Sequence, residues 1–389
     1  MKTVSRSHKL DNVCYDIRGP IAAQARKMED EGHRILKLNI GNPAPSGFEA
    51  PDDIVKDVIH NLPTSQGYSD STGIYAARVA VMQYYQQRNI KDIRVDDVYI
   101  GNGVSELIMM AMQALLNHGD EVLIPSPDYP LWTAAVSLSS GSPVHYRCDE
   151  QADWYPDIDN IKKNITPNTK ALVLINPNNP TGSLISEEML NDIAEIARTC
   201  DAYLLSDEVY RGTDQEGSGF TKSVADIYEK GISTASMSKS FSLAGLRLGW
   251  IAGPQDVIES VSIHRDYNTI SVGMLDDHFA AIALENKDKI IARSQDITRT
   301  NLKILDEWVS KEPLISYVKP KSGTTALLKY HLDMNSREFC IKLLKQTGVM
   351  LTPGSALDIE GYVRIGYANN VEILKSGLDK ITEFLANPR

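Results

Sequence analysis

Between residues 95 and 255 the chain repeats one pattern: a short apolar run, a loop of Gly, Pro, Asn or Asp, and often a helix. Such runs lie at 98–100, 121–124, 171–175, 202–205, 233–235 and 248–252. Each is strand-length, and most are bounded by residues that break strands. Helices are predicted over 105–117 and 186–198. In the second, Ser186 suits an N-cap and Glu187 and Glu188 suit the positive helix start. Its apolar positions Met189, Leu190, Ile193, Ile196 and Ala197 fall on one face. Alternating strands and helices predict an α/β fold whose mainly parallel sheet is covered on both sides. Ligands of such sheets sit beyond the carboxyl ends of the strands.

The flanking segments read differently. The first residues form an arm, and a polar helix follows Gly19-Pro20 and ends near Gly32. A short strand is predicted over 35–40, then a rigid loop, Gly41-Asn42-Pro43-Ala44-Pro45. After about residue 290 come a long polar helix (291–308), strands at 315–319, 326–330 and 362–367, and a helix at 336–346. That mixture predicts a smaller α+β domain with which the N-terminal segment packs. At 389 residues the chain is too long for one ordinary core. The expected division is 1–46 (arm and part of the small domain), 47–285 (large domain) and 286–389 (small domain).

Composition removes several classes of function. Forty basic against 51 acidic residues give a net charge of −11, without the clustered Lys and Arg of a nucleic-acid footprint. Cys14, Cys148, Cys200 and Cys340 lie far apart with no Cys-x-x-Cys pair, which argues against a disulfide framework. The eight histidines show no metal-ligand spacing. The most apolar helical stretch, 107–116, is about half a membrane span. A soluble, cytoplasmic chain with no metal is the expectation.

Six short motifs carry candidate chemistry. Ser236-Met237-Ser238-Lys239 follows a small-residue strand, with Arg247 eight residues on. A lysine acts as a nucleophile when desolvated or placed near other cations, and Arg247, Ser236 and Ser238 suit a phosphate. The bland alternative is a surface lysine in a Ser-rich loop. Asp207, at a strand end, could hold a protonated ring nitrogen, with Tyr210 on the same face; otherwise it is a capping aspartate. Asn176-Pro177-Asn178-Asn179-Pro180-Thr181-Gly182 fixes a loop in which Asn179 offers an amide donor, though the same residues make simple turns. Gly101-Asn102-Gly103-Val104-Ser105 opens a helix whose N–H groups suit phosphate. It lacks the third glycine of a dinucleotide fingerprint, and a tight strand-to-helix turn explains it equally. Tyr129 could stack on a flat ring or simply pack. Arg364 lies in an otherwise apolar strand and needs a carboxylate, from a substrate or from a structural ion pair.

Together and in this order, these motifs resemble the class I aminotransferases of fold type I that use pyridoxal 5'-phosphate, and the resemblance covers nearly the whole chain. It implies that Lys239 carries the cofactor and shuttles a proton, and that Asp207 pairs with the ring nitrogen. It places Asn179 and Tyr210 on the ring oxygen and Tyr129 on the ring face. Gly103, Val104, Ser105, Ser236, Ser238 and Arg247 would hold the phosphate. Tyr68 would reach the phosphate of a neighbouring subunit, which implies a homodimer with shared sites. Arg364 would bind the substrate α-carboxylate beside Gly41 and Asn179. Residues 1–200 are most similar to bacterial alanine aminotransferases, through 12–20, 39–43 and 128–132; that likeness places Tyr15 and Arg18 near the substrate. From about residue 203 the likeness shifts to a less characterised group of class I aminotransferases, some of whose relatives are cyclases. The expected reaction is a ping-pong amino transfer from L-alanine to 2-oxoglutarate, with Arg18 and Arg265 as candidates for a distal carboxylate. Transfer from aspartate or another amino acid, β-elimination or cyclisation on the same cofactor, and a non-catalytic ligand-binding protein on the same fold are the alternatives.

Overall fold

The computed structural model describes residues 7–10, 13, 19–41, 50–87, 92–217 and 220–388. Its centre is an eight-stranded sheet. In spatial order the strands are Val98–Gly101, Gly249–Ala252, Gly231–Ser236, Tyr203–Asp207, Thr169–Ile175, Glu121–Ser126, Ser142–Asp149 and Tyr155–Pro156. The five strands from Gly231–Ser236 to Ser142–Asp149 are parallel. Gly249–Ala252 runs against both of its neighbours.

Burial of both sheet faces explains why these strands read as continuous apolar runs rather than alternating ones. Along Thr169–Ile175, Ala171, Val173 and Ile175 enter one core, shared with helices Val104–Leu115, Pro130–Leu138 and Gln255–Asp266. Leu172 and Leu174 enter the core on the other side, where Leu190, Ile193 and Ala197 of helix Glu187–Thr199 pack. That helix starts as predicted: the Ser186 hydroxyl accepts the Met189 N–H at 3.2 Å. A third core holds Tyr84, Tyr85, Phe241 and Trp250.

The C-terminal part builds an antiparallel sheet in the order Ile315–Ser316, Thr325–Tyr330, Tyr362–Gly366, Thr352–Pro353. Its core also takes Ile21, Ala25 and Met28 of helix Pro20–Asp30, and Leu36 and Leu38. Helix Lys287–Val309 spans two cores, giving Ile290 and Ile291 to one and Leu302 and Leu305 to the other. The strand expected over 35–40 is only Leu36–Lys37, and that over 315–319 only Ile315–Ser316. Leu36–Lys37 pairs with a single short strand, Val349–Met350, so no ladder extends it. Among the described residues no helix is long and apolar enough to cross a membrane.

Candidate active site

The carboxyl ends of the parallel strands deliver side chains to one edge of the large sheet. Tyr203–Asp207 ends in Asp207, with Tyr210 just beyond, and Gly231–Ser236 leads into Ser238 and Lys239. Thr169–Ile175 leads to Asn179 and Glu121–Ser126 to Tyr129. Arg247 precedes Gly249–Ala252, and because that strand is antiparallel it arrives at the same edge. Arg364, from the smaller sheet, and Gly41 close the far side. A cavity of about 460 Å³ is lined by Gly41, Val104, Ser105, Tyr129, Asn179, Asp207, Tyr210, Ser236, Ser238, Lys239, Arg247 and Arg364. Nearly all the residues singled out from the sequence therefore converge on one place.

Local chemistry fixes the walls. In the loop after Thr169–Ile175, Asn178 accepts the Thr181 N–H (3.1 Å) and hydroxyl (2.7 Å). Asn178 thus holds the turn and leaves Asn179 to face the cavity. Gly103 sits at φ +82°, ψ 164° immediately before helix Val104–Leu115, a conformation open essentially to glycine alone. A Cβ there would collide with the Arg247 guanidinium. The glycine thus lets arginine and helix start meet, and N–H groups and guanidinium together suit a phosphate. A Cβ on Gly41 would meet Thr324 Oγ1 at 2.5 Å, so the loop can lie against that strand only as glycine.

Burial sets the charges. The Asp207 carboxyl is only 3% exposed. Desolvation pushes it up to about 6, against the Val209 N–H it accepts at 3.2 Å. A cationic N–H brought into the cavity would restore its ionised form. Lys239 opens onto the cavity, and desolvation, then the Arg364 and Arg247 charges, bring its amine down to about 8. Burial lowers Arg364 as well. Its guanidinium donates to Asn179 Oδ1 (3.1 Å), the Asn39 carbonyl (3.0 Å) and Thr352 Oγ1 (3.4 Å). Its Nε is buried without a hydrogen-bond partner, and no carboxylate of the chain pairs with it among the described residues. Of the two sequence readings for Arg364, the structural ion pair is not formed among the described residues.

The residues fit pyridoxal phosphate. Arg247, Ser236, Ser238 and the helix start suit the phosphate, Asp207 the ring nitrogen, and Asn179 and Tyr210 the ring oxygen. Tyr129 lines the wall as a flat side chain, and Lys239 supplies the amine.

Other expectations fare differently. Tyr15 and Arg18 lie outside the described residues. Tyr68 does not line this cavity and is 77% exposed. Arg265, a candidate for a distal carboxylate, is 0% exposed. It pairs with Glu106 at 3.0 Å and donates to Thr269 Oγ1 and the Ile100 carbonyl. That correction has a simple cause: a guanidinium committed to an internal carboxylate is not free for a ligand.

Two features escaped the sequence reading. One stripe of helix Pro20–Asp30, namely Ala22, Ala25, Arg26 and Glu29, lines the cavity; only its i, i+3, i+4, i+7 spacing hints at a shared face. Glu208, directly after Asp207, is buried. It accepts from Ser223 Oγ (2.9 Å), the Val224 N–H (3.0 Å) and Ser233 Oγ (2.7 Å), tying Asp207's strand to the one that leads to Lys239.

Comparison with known proteins agrees with this geometry. The family described as aminotransferase class I and II matches residues 33–381. A glutamate-pyruvate aminotransferase, AlaA, of Escherichia coli K12 is 55% identical over 260 residues. That match spans 66% of this chain and 64% of the relative. The protein of the same name from Haemophilus influenzae is 42% identical over 100% of both chains. The crystal structure of an aminotransferase from E. coli superposes with a TM-score of 0.93 at 42% identity, covering 99% of each chain.

Proposed function

This chain belongs to the class I and II aminotransferases, and on that premise we propose that it interconverts L-alanine and pyruvate with 2-oxoglutarate and L-glutamate. The observation that carries this reading is the convergence on one cavity of Lys239, Asp207 and a buried Arg364 with no carboxylate partner among the described residues. The names of the E. coli and H. influenzae relatives support the choice of substrates.

Bound pyridoxal phosphate supplies the electron sink that makes the substrate's α C–H acidic. Everything else falls to the chain. Asp207 holds the proton-bearing ring nitrogen; its burial makes that pairing strong. Arg247, Ser236, Ser238, Gly103, Val104 and Ser105 anchor the phosphate end. Tyr129 faces the ring, and Asn179 and Tyr210 fix its oxygen. Arg364 takes the α-carboxylate by its guanidinium fork, beside Gly41, and so orients the α C–H. Lys239 Nζ, brought down to about 8 by burial, would take that proton from the α-carbon and hold it for return. One amino acid leaves as its keto acid before the second substrate enters, which makes the cycle ping-pong.

The proposed active unit is a homodimer. Tyr68 is 77% exposed, and Ile59 (66%), Leu62 (55%) and Tyr75 (68%), close to it in sequence, are exposed too; Tyr68 would reach the partner's phosphate. We assign residues 1–46 and 286–389 to the smaller domain and 47–285 to the larger.

The test is a half-reaction. L-Alanine should convert the loaded enzyme's absorbance to that of the amine form, and 2-oxoglutarate should restore it. Conversion by L-aspartate but not L-alanine would replace the substrate. Pyruvate and ammonia released from a cysteine conjugate without a keto-acid acceptor would replace transfer with elimination.

A further inference from the structure

We infer that Arg26 is a specificity-determining residue of this site: its guanidinium receives the distal carboxylate of the five-carbon dicarboxylic substrate. This rests on the alanine–glutamate reading above.

Helix Pro20–Asp30 turns Ile21, Ala25 and Met28 into the small-domain core. The adjacent stripe, Ala22, Ala25, Arg26 and Glu29, forms a wall of the cavity. Ala22 and Ala25 add only methyl groups to that wall.

The cavity's cations are then assigned one by one. Five line it: Arg26, Lys37, Lys239, Arg247 and Arg364. Lys239 is the reacting amine and Arg247 serves the phosphate. Arg364 is spanned by Asn179, Asn39 and Thr352 and takes the α-carboxylate. Lys37 is committed to Glu29 at 2.7 Å. Arg26 alone of the five is exposed on the wall with no ion-pair partner among the described residues and no role in the reaction. A second carboxylate entering the cavity meets this fork. Alanine, which has no second carboxylate, makes no contact with it. One site thereby accepts both substrates without rearranging the Arg364 end.

The test is equilibrium binding to the loaded enzyme, with glutarate as the dicarboxylate probe and propanoate as the monocarboxylate probe. Arg26→Ala should weaken glutarate about fivefold to tenfold, as expected for one charge-assisted contact open to solvent. Propanoate should change less than twofold. Arg26→Lys should recover part of the loss. In kinetics, KM for L-glutamate and 2-oxoglutarate should rise by a similar factor while the L-alanine half-reaction stays as it was. Equal loss for both probes, no loss for either, or a glutarate-selective loss only in Arg18→Ala would overturn the assignment. Wild-type enzyme that converts neither L-glutamate nor L-alanine would instead overturn the substrate reading on which it depends.

Discussion

Arg364 offers the most quantitative test of the site. Its backbone is clamped on both sides, by Leu327 across one strand pair and Thr352 across the other. The guanidinium therefore cannot follow a misplaced substrate. A hydrogen bond to a charged group contributes about 1.5–3 kcal/mol. A fork holding an α-carboxylate makes two. Arg364→Lys keeps the charge and loses the fork, so about 2 kcal/mol of transition-state binding should go, roughly 30-fold in kcat/KM. Arg364→Ala should lose about 4 kcal/mol, roughly 1000-fold. Steady-state kinetics with L-alanine and L-glutamate should show the same factor for both, because the α-carboxylate is common to both. The substitution also strips Asn179 Oδ1 and the Asn39 carbonyl of their donor. A modest drop in Tm should accompany it, about 1–3 kcal/mol in stability. A fall in kcat/KM of less than threefold in Arg364→Ala, or a loss confined to one substrate, would refute the assignment.

Three further outcomes follow from the same geometry. Asp207 is pushed up to about 6 by burial, above its unfolded value of about 3.9. Its contribution to cofactor-free stability is therefore full below about pH 4 and lost as pH rises through 6. Asp207→Asn should raise the Tm of the cofactor-free protein at pH 8 but not at pH 4, while activity falls; calorimetry at both pH values reads this, and a pH-independent difference contradicts it. Gly103→Ala forces a side chain into a glycine conformation against Arg247; it should cost about 1–3 kcal/mol and weaken cofactor binding. Gly32→Ala, also at positive φ but with nothing nearby, should affect stability alone. Arg265→Met leaves Glu106 without its cation and should destabilise by about 3–5 kcal/mol in denaturant unfolding, with the glutamate-to-alanine ratio of kcat/KM unchanged.

Much of the site was legible because its residues sit within a few positions of strand ends. Asp207, Asn179 and Lys239 follow apolar runs whose ends a reader can place to within a residue or two. The residues between them are turn formers, hydroxyls and a lysine, each with one obvious chemistry. What stayed hidden depends on contacts between distant segments. Arg265 and Glu106 are 159 positions apart, and nothing near either announces a buried pair. The Arg26 wall exists only because the N-terminal helix packs on a core built 280 residues later. Strand Ser142–Asp149 was missed because Pro143, His145 and Arg147 break its apolar run, yet residues 142–147 pair along all of Glu121–Ser126. Nothing beside Glu208 in the sequence announces its role; its three buried donors come from Ser223, Val224 and Ser233.

The chemistry proposed for this cavity depends on pyridoxal phosphate being carried by Lys239. Borohydride reduction of the loaded protein followed by peptide mapping tests it directly. The account predicts a pyridoxyl phosphate adduct on Lys239 and none in Lys239→Ala. An adduct on another lysine, or none after reconstitution with the cofactor, would contradict it.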